Sequence, residues 1–358
     1  MRSKENIDEL LSYIQKKSSR ELLFNKENIQ KAYKGKEDHQ SLAIKILSVF
    51  GGLMSGIAFI GFLFLIDFFD SVEGLTIFGS FCIIGSLFLN KAANKIIIDT
   101  ISVTFYLIGL VLLGIGLVDS VVNDESTMCF IFMLIALFSL LIVQNYIMSF
   151  VSISLFNICI AAVLTFNDLT SWIYIYTAIV AAFLTFLFLN EAKILSLKNM
   201  LSKLYEPVRS AFVFTFLSLF LYMDEARFTT FSYSYLVVAS VVIILSILCV
   251  VYYLLKILNV TEIKHRVILM VATIIILIPT AYSPAISGAI LIILLSFMAN
   301  YKTGLGLGII AFVYFISMFY YDLQFTLLNK SIILFSSGIL FLAIYLFTRK
   351  KLTSHEKI

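Results

Sequence analysis

The long apolar runs of this chain constrain its fold more than any other feature. A helix needs about 20 apolar residues to cross the hydrocarbon core of a bilayer, and backbone groups in lipid must bond to one another, so spans are helices or closed barrels. The runs lack the alternating period of barrel strands. Hydrophobic residues make up 61% of the 358 residues and charged ones 13%, whereas soluble domains are about 25% charged. The sequence therefore predicts an all-α polytopic integral membrane protein.

About twelve transmembrane helices are predicted from these runs. They cover residues 44–67, 74–90, 97–118, 127–143, 147–166, 171–189, 208–223, 233–256, 266–281, 284–299, 304–321 and 326–348. Three regions follow from this division: a cytoplasmic amphipathic segment at 1–41, a transmembrane helical domain at 42–348 and a cytoplasmic basic tail at 349–358.

The distribution of lysine and arginine predicts the orientation of the chain. With the N-terminus in the cytoplasm and the spans alternating, 24 of the 26 basic residues fall on the inner side. Arg227 and Lys330 are the two that fall outside. Short inner loops are enriched in Lys and Arg, so the sequence predicts an even number of spans with both termini in the cytoplasm.

Two inner segments carry an amphipathic pattern. In residues 191–206 the lysines face one way and four apolar residues the other, namely Ile194, Leu197, Leu201 and Leu204. This pattern predicts an interfacial helix in the headgroup plane. The N-terminal segment is typical of short helices that lie on the bilayer or on the inner loops; an arm that binds a partner is the alternative.

Catalytic and metal-binding signatures are not found in the sequence. The cysteines lie in or beside apolar runs without metal-ligand spacing, and the histidines are far apart on the predicted inner side. These residues are Cys82, Cys129, Cys159, Cys249, His39, His265 and His355. No nucleotide-binding or hydrolase motif occurs. We therefore expect no enzyme activity, no cofactor, no metal and no nucleic-acid partner.

Two polar residues within predicted spans are candidates for a role inside the membrane. Asp99 lies four residues after Lys95, so it is interpreted as an inner-interface residue paired with Lys91 or Lys95, or else as a buried functional carboxylate. Asn157 is central in the fifth span, where an interhelical hydrogen bond is the expected role.

The stretch FYYDLQFTLLNKS, residues 319–331, is a polar interruption between the last two predicted spans. Its candidate functional residues are Tyr320, Tyr321, Asp322, Thr326, Lys330 and Ser331. The topology puts this turn on the outer face. A cation near a helix N-terminus is disfavoured, so Lys330 is either a snorkelling anchor or the partner of an anionic group.

The last spans resemble a known family. The run YYDLQFTLLNKSIILFSSGILFLA is similar to the C-terminal signature of bacterial multi-span proteins with a domain of unknown function, DUF4401. The matching residues are Tyr320, Tyr321, Leu323, Thr326, Leu327, Leu328, Lys330, Ser331 and Gly338. The resemblance implies a multi-protein assembly in a bacterial inner membrane, alongside other membrane proteins, one with a Gly-Asp-Tyr motif. It supplies no catalytic residues.

Two functions remain open from the sequence. The first is a non-enzymatic component of a membrane protein assembly, bound to other membrane proteins in the bacterial inner membrane. The alternative is a transporter or flippase-like carrier of an apolar or amphipathic small molecule, since so few charged residues lie within the spans. A carrier requires a cavity between the two halves of the chain, which an assembly subunit does not.

Overall fold

The computed structural model describes residues 42–66, 72–92, 96–119, 124–143, 145–197, 199–225, 233–258 and 263–322, with residues 339 and 342. Regular structure in these ranges is helical throughout. The helices are α1 (Leu42–Leu65), α2 (Val72–Ala92), α3 (Ile96–Asp119), α4 (Glu125–Ile142), α5 (Tyr146–Phe166), α6 (Trp172–Leu189), α7 (Glu191–Leu195), α8 (Asn199–Glu225), α9 (Tyr233–Ile257), α10 (Ile263–Leu277), α11 (Pro284–Met298) and α12 (Lys302–Asp322). A 3₁₀ helix at Ile278–Tyr282 joins α10 to α11.

The all-α class is confirmed over the described residues, and eleven of the predicted spans coincide with helices. Nine of these helices are long and apolar enough to cross a membrane, so the chain is a multi-pass membrane protein. Helix α11 has 15 residues and is about 22 Å long, which is shorter than the hydrocarbon core. The twelfth predicted span, 326–348, lies almost wholly outside the described residues, as do segments 1–41 and 349–358.

The segment predicted as one interfacial helix at 191–206 is divided differently in the structure. Helix α7 has five residues, and residues 199–206 are instead the first two turns of α8, which continues to Glu225. Pro207 lies inside α8 and has no N–H to donate to the carbonyl of Lys203, a loss that membrane helices tolerate. Hydropathy alone does not distinguish an interfacial helix from the charged end of a span that extends into the headgroups.

The described helices pack into two bodies, each with its own core. In the first body, α1 to α5 surround apolar clusters that include Leu112 and Met148, both with no exposed surface. In the second body, α6, α8, α9, α11 and α12 enclose a larger core around Phe216, Ile243 and Leu291. Helices α5 and α8 are the main contact between the bodies, and we call the line along which they meet the seam.

Candidate functional site

The seam is held at one end by a hydrogen bond and a ring contact. The Tyr146 hydroxyl donates to the Ser210 hydroxyl at 2.9 Å. One turn further along both helices, the Phe150 and Phe214 rings meet edge to face, with centroids 5.6 Å apart. Residue numbers rise together on the two helices, so α5 and α8 run in the same direction and close the seam at their N-terminal ends.

Beyond Phe150 the two helices enclose a groove of about 450 Å³. Its lining residues are Ser154, Asn157, Ile158, Ala161, Ala162, Thr165, Phe166, Phe214, Thr215, Ser218, Leu219 and Tyr222. Ile158 is 62% exposed and Phe166 48% exposed, so the groove opens on the outer surface of the bundle. In a multi-pass protein, that surface faces lipid.

Two polar side chains of α5, Asn157 and Ser154, lie in the wall of the groove. The Tyr176 hydroxyl on α6 donates to the Oδ1 atom of Asn157, and the Asn157 Nδ2 atom donates to the Ile153 carbonyl at 2.7 Å. The Ser154 Oγ atom is buried and has no hydrogen-bond partner in the described part of the chain. Asn157 is about 16 Å along a helix of about 31 Å, which puts these groups near the middle of the span.

The groove is lined by uncharged side chains among the described residues. None of the twelve described residues that line it is acidic or basic. Its far end is bounded by a hydrogen bond between the Thr165 and Tyr222 hydroxyls at 3.1 Å. The walls therefore combine apolar surface with uncharged donors and acceptors, which is the composition of small-molecule sites in proteins.

Residues 41–351 match the family model of a domain of unknown function, DUF4401. The chain belongs to this family. Searches of the curated proteins and of the solved structures gave no match. The family resemblance expected from the C-terminal motif is thus confirmed, and the match extends over the described helices of both bodies of this DUF4401 chain.

Asp99 lies in a separate polar cavity of about 480 Å³, at the same end of the bundle as the start of α5 and α8. The cavity is lined by Asn90, Lys91, Asp99, Ile142, Val143, Asn145 and Lys203. The Asn90 Nδ2 atom donates to the Asp99 carboxylate at 3.4 Å and to the Ser102 hydroxyl at 2.8 Å. Among the described residues, an amide rather than the predicted Lys91 contacts Asp99, because Asn90 is buried against α3 while Lys91 is exposed. Lys95 lies outside the described residues.

The motif at residues 319–331 of this DUF4401 chain is described only in part. The Tyr320 and Tyr321 rings lie in the last turn of α12 with centroids 5.8 Å apart, and Tyr321 is 76% exposed. Asp322 ends the helix. Thr326, Lys330 and Ser331 lie outside the described residues. Neither tyrosine lines the groove. The tyrosine motif and the intramembrane Asn157, both singled out from the sequence, therefore belong to separate sites.

Sequence reasoning missed a buried cation beside the seam. Arg209 on α8 is 8% exposed, and its Nη1 atom donates to the Glu191 carboxylate at 3.2 Å. Its guanidinium carbon lies 4.1 Å from the centre of the Tyr301 ring and 5.2 Å from that of Tyr205. The sequence signal was available: Arg209 follows Pro207 at the start of an apolar stretch, inside the span rather than in a loop.

Proposed function

We propose that this chain is a non-enzymatic membrane protein that binds and carries an apolar or amphipathic small molecule. The observation that supports this most directly is the uncharged groove between the two bodies, open to lipid and extending to mid-membrane. Carriers place their sites near the midplane, at the interface of two halves that move against each other.

The contacts that close the seam fit such a movement. At the N-terminal ends of α5 and α8, one hydroxyl pair and one aromatic pair hold the bodies together. Hydrogen bonds between membrane helices contribute about 0.6 kcal/mol on average, so the Tyr146–Ser210 bond opposes an opening of this end only weakly. The Thr165–Tyr222 and Tyr176–Asn157 bonds and the packing of α5 on the second core remain to hold the bodies together. A ligand that binds the open seam better than the closed one would shift that equilibrium.

The experiment fills the groove and measures what the protein retains. Ala161→Phe places a ring in the lining, and Ala272→Phe adds the same ring to an exposed position on α10 as the matched control. We expect mass spectrometry of the purified protein to detect bound small molecules in the wild type and in Ala272→Phe, with a loss in Ala161→Phe. Identical bound molecules in all three proteins would overturn the proposal.

The predicted orientation and location belong to the same proposal. The segregation of basic residues supports a cytoplasmic N-terminus and C-terminus in a bacterial inner membrane. In a variant without native cysteines, single cysteines at Lys193 and at Asp168 should differ in reaction with a membrane-impermeant maleimide on intact cells. We expect labelling at Asp168 alone. Labelling at Lys193 instead would reverse the orientation.

The second candidate function is that of a subunit in a membrane protein assembly. The low burial of helix α10 favours it. Only 6% of its span is buried, against 56% for α6. A photo-crosslinking residue in place of Ile275 on α10, which is 61% exposed, should capture a second membrane protein, while the same residue at Ile310 on α12, which is 69% exposed, should not. The Lys330→Leu substitution in the outer motif should weaken that adduct without affecting insertion. Lipid adducts alone at both positions would contradict the assembly.

A further inference from the structure

The chemistry of the groove restricts the charge of its ligand. Every described lining residue is neutral, and the nearby Arg209 guanidinium is engaged by Glu191 and by aromatic rings. An ion at this depth is costly unless it is paired or hydrated. A phosphate or carboxylate therefore finds no counter-charge in these walls.

Hydrogen-bond donors in the groove then restrict the polar group of the ligand. Ser154 and Asn157 are three residues apart on α5 and so lie on one face of the helix. A carbonyl can only accept hydrogen bonds, so the Asn157 amide atom that contacts the Ile153 carbonyl must be the nitrogen. One amide N–H and the Ser154 hydroxyl have no hydrogen-bond partner within the described part of the chain. Two adjacent donors can both bind one acceptor oxygen of a ligand.

The rest of the lining fits a hydrocarbon body. From Ile158 to Phe166 on α5, the groove presents aliphatic and aromatic surface, with the small residues Ala161 and Ala162 making room. Leu219 faces this surface from α8. The apolar part of a ligand would lie here, towards the Thr165 end, with its oxygen at the closed end near Ser154.

We propose that the groove takes an uncharged amphipath that carries an ester carbonyl or hydroxyl oxygen, with that oxygen bound by Ser154 and Asn157. This rests on the proposed binding function and narrows it to a class of ligand: neutral lipids are accepted and anionic phospholipids are not. The free Ser154 hydroxyl and the absence of charge are independent observations that lead to the same class.

The test compares three photoreactive probes with the same diazirine-bearing chain, in nanodiscs that contain the purified full-length protein. One is a diacylglycerol, one a phosphatidylglycerol and one a plain alkane. We expect the diacylglycerol to label the Ser154–Phe166 peptide most strongly. The Ser154→Ala substitution should lower that labelling about fivefold, the worth of one hydrogen bond. Ser317→Ala, on an exposed face of α12, is the matched control and should leave labelling unchanged.

The outcomes separate this inference from the proposed function. Equal labelling of the groove by all three probes, without an effect of Ser154→Ala, would overturn the proposed ligand class. It would show that the groove binds bulk lipid without selectivity. Stronger labelling by phosphatidylglycerol would also overturn it. No labelling of the groove peptide by any probe would overturn the binding function itself.

Discussion

Tyr146 and Ser210 join the two bodies through a hydroxyl–hydroxyl hydrogen bond of 2.9 Å. The Ser210 hydroxyl also pairs with the Tyr301 hydroxyl at 3.0 Å, so one serine connects α5, α8 and the turn before α12. Since Ser210 is buried, water does not readily replace either partner. The closed end of the seam therefore depends on a side chain with a single polar atom.

Removing these hydroxyls should have a graded effect on stability. Tyr146→Phe loses one bond and should lower the free energy of unfolding by about 0.6 kcal/mol. Ser210→Ala loses two bonds and should have about twice that effect. Reversible unfolding in mixed detergent micelles measures both. Tyr314→Phe, at an exposed tyrosine of α12, is the control. A smaller loss for Ser210→Ala than for Tyr146→Phe would contradict this arrangement.

Asn157 and Tyr176 should be energetically coupled. Asn157→Leu leaves the partly buried Tyr176 phenol without its acceptor, and Tyr176→Phe leaves the Asn157 oxygen without its donor. The double variant leaves neither group unpaired, so its loss should be smaller than the sum of the two single losses. We expect a coupling energy of about 0.6–1.7 kcal/mol, as for other membrane hydrogen bonds. Strict additivity of the two substitutions would exclude a direct bond.

The Asn157 site illustrates how much of the fold and site the sequence predicts. An amide in the middle of an apolar run must be satisfied, so its hydrogen-bonding role follows from burial alone. Its partner does not follow, because Tyr176 is on the next helix at an angle that only packing determines. The groove was likewise not predictable, since it results from the separation of α5 and α8 beyond Phe150.

Arg209 should be among the most sensitive residues of the second body. Arg209→Met leaves the Glu191 carboxylate, whose side chain is 27% exposed, without its partner. Breaking a buried pair costs about 3–5 kcal/mol, and the partial exposure of Glu191 favours the lower end.

The Arg209→Lys substitution separates the contribution of the positive charge from that of stacking on the aromatic rings. Lysine keeps the charge but not the planar group that lies 4.1 Å from the Tyr301 ring centre. We therefore expect an intermediate loss of thermal stability, measured in detergent micelles. Lys193→Met, on the exposed side of α7, should have little effect. Full rescue by lysine would show that charge alone matters.

The burial of Arg209 could not be predicted from the sequence, for a physical reason. Counting basic residues assigns it to the predicted inner end of a span, since the positive-inside rule concerns position along the chain. The rule does not say whether a cation faces headgroups or protein. Three rings from α6, α8 and the turn before α12 surround Arg209, and that meeting of distant segments is a tertiary property.

Helices α2 and α3 approach too closely for a side chain at Gly79. A Cβ atom there would lie 2.7 Å from the Leu113 nitrogen and 3.0 Å from the Gly109 carbonyl oxygen. Both are backbone atoms, so the helices must separate to admit it. We expect Gly79→Ala to destabilise the protein by about 1–3 kcal/mol. Gly85→Ala, on the same helix with nothing within 4 Å, should be neutral or mildly stabilising. Equal effects would show that helix propensity, not packing, dominates.

Asp124 should make the start of α4 sensitive to acid. Its carboxylate accepts hydrogen bonds from the Thr127 hydroxyl at 2.7 Å and the Ser126 N–H at 3.2 Å, as an N-cap does. These bonds hold the pKa of Asp124 below its ordinary value. A lowered folded-state pKa means that the contribution to stability is present above the unfolded-state pKa and is lost as the pH falls through the folded-state pKa.

The matched test of that cap is Asp124→Asn, because asparagine caps a helix equally well but does not titrate. Thermal unfolding in detergent between pH 7 and about pH 2, below the ordinary aspartate pKa, should show a loss of stability on acidification that is smaller in the variant than in the wild type. At pH 7 the carboxylate also interacts favourably with the positive end of the helix dipole, so the wild type should be the more stable there. The difference between the two proteins should therefore shrink as the carboxylate is protonated. A difference independent of pH would show that the Asp124 charge adds nothing to the cap.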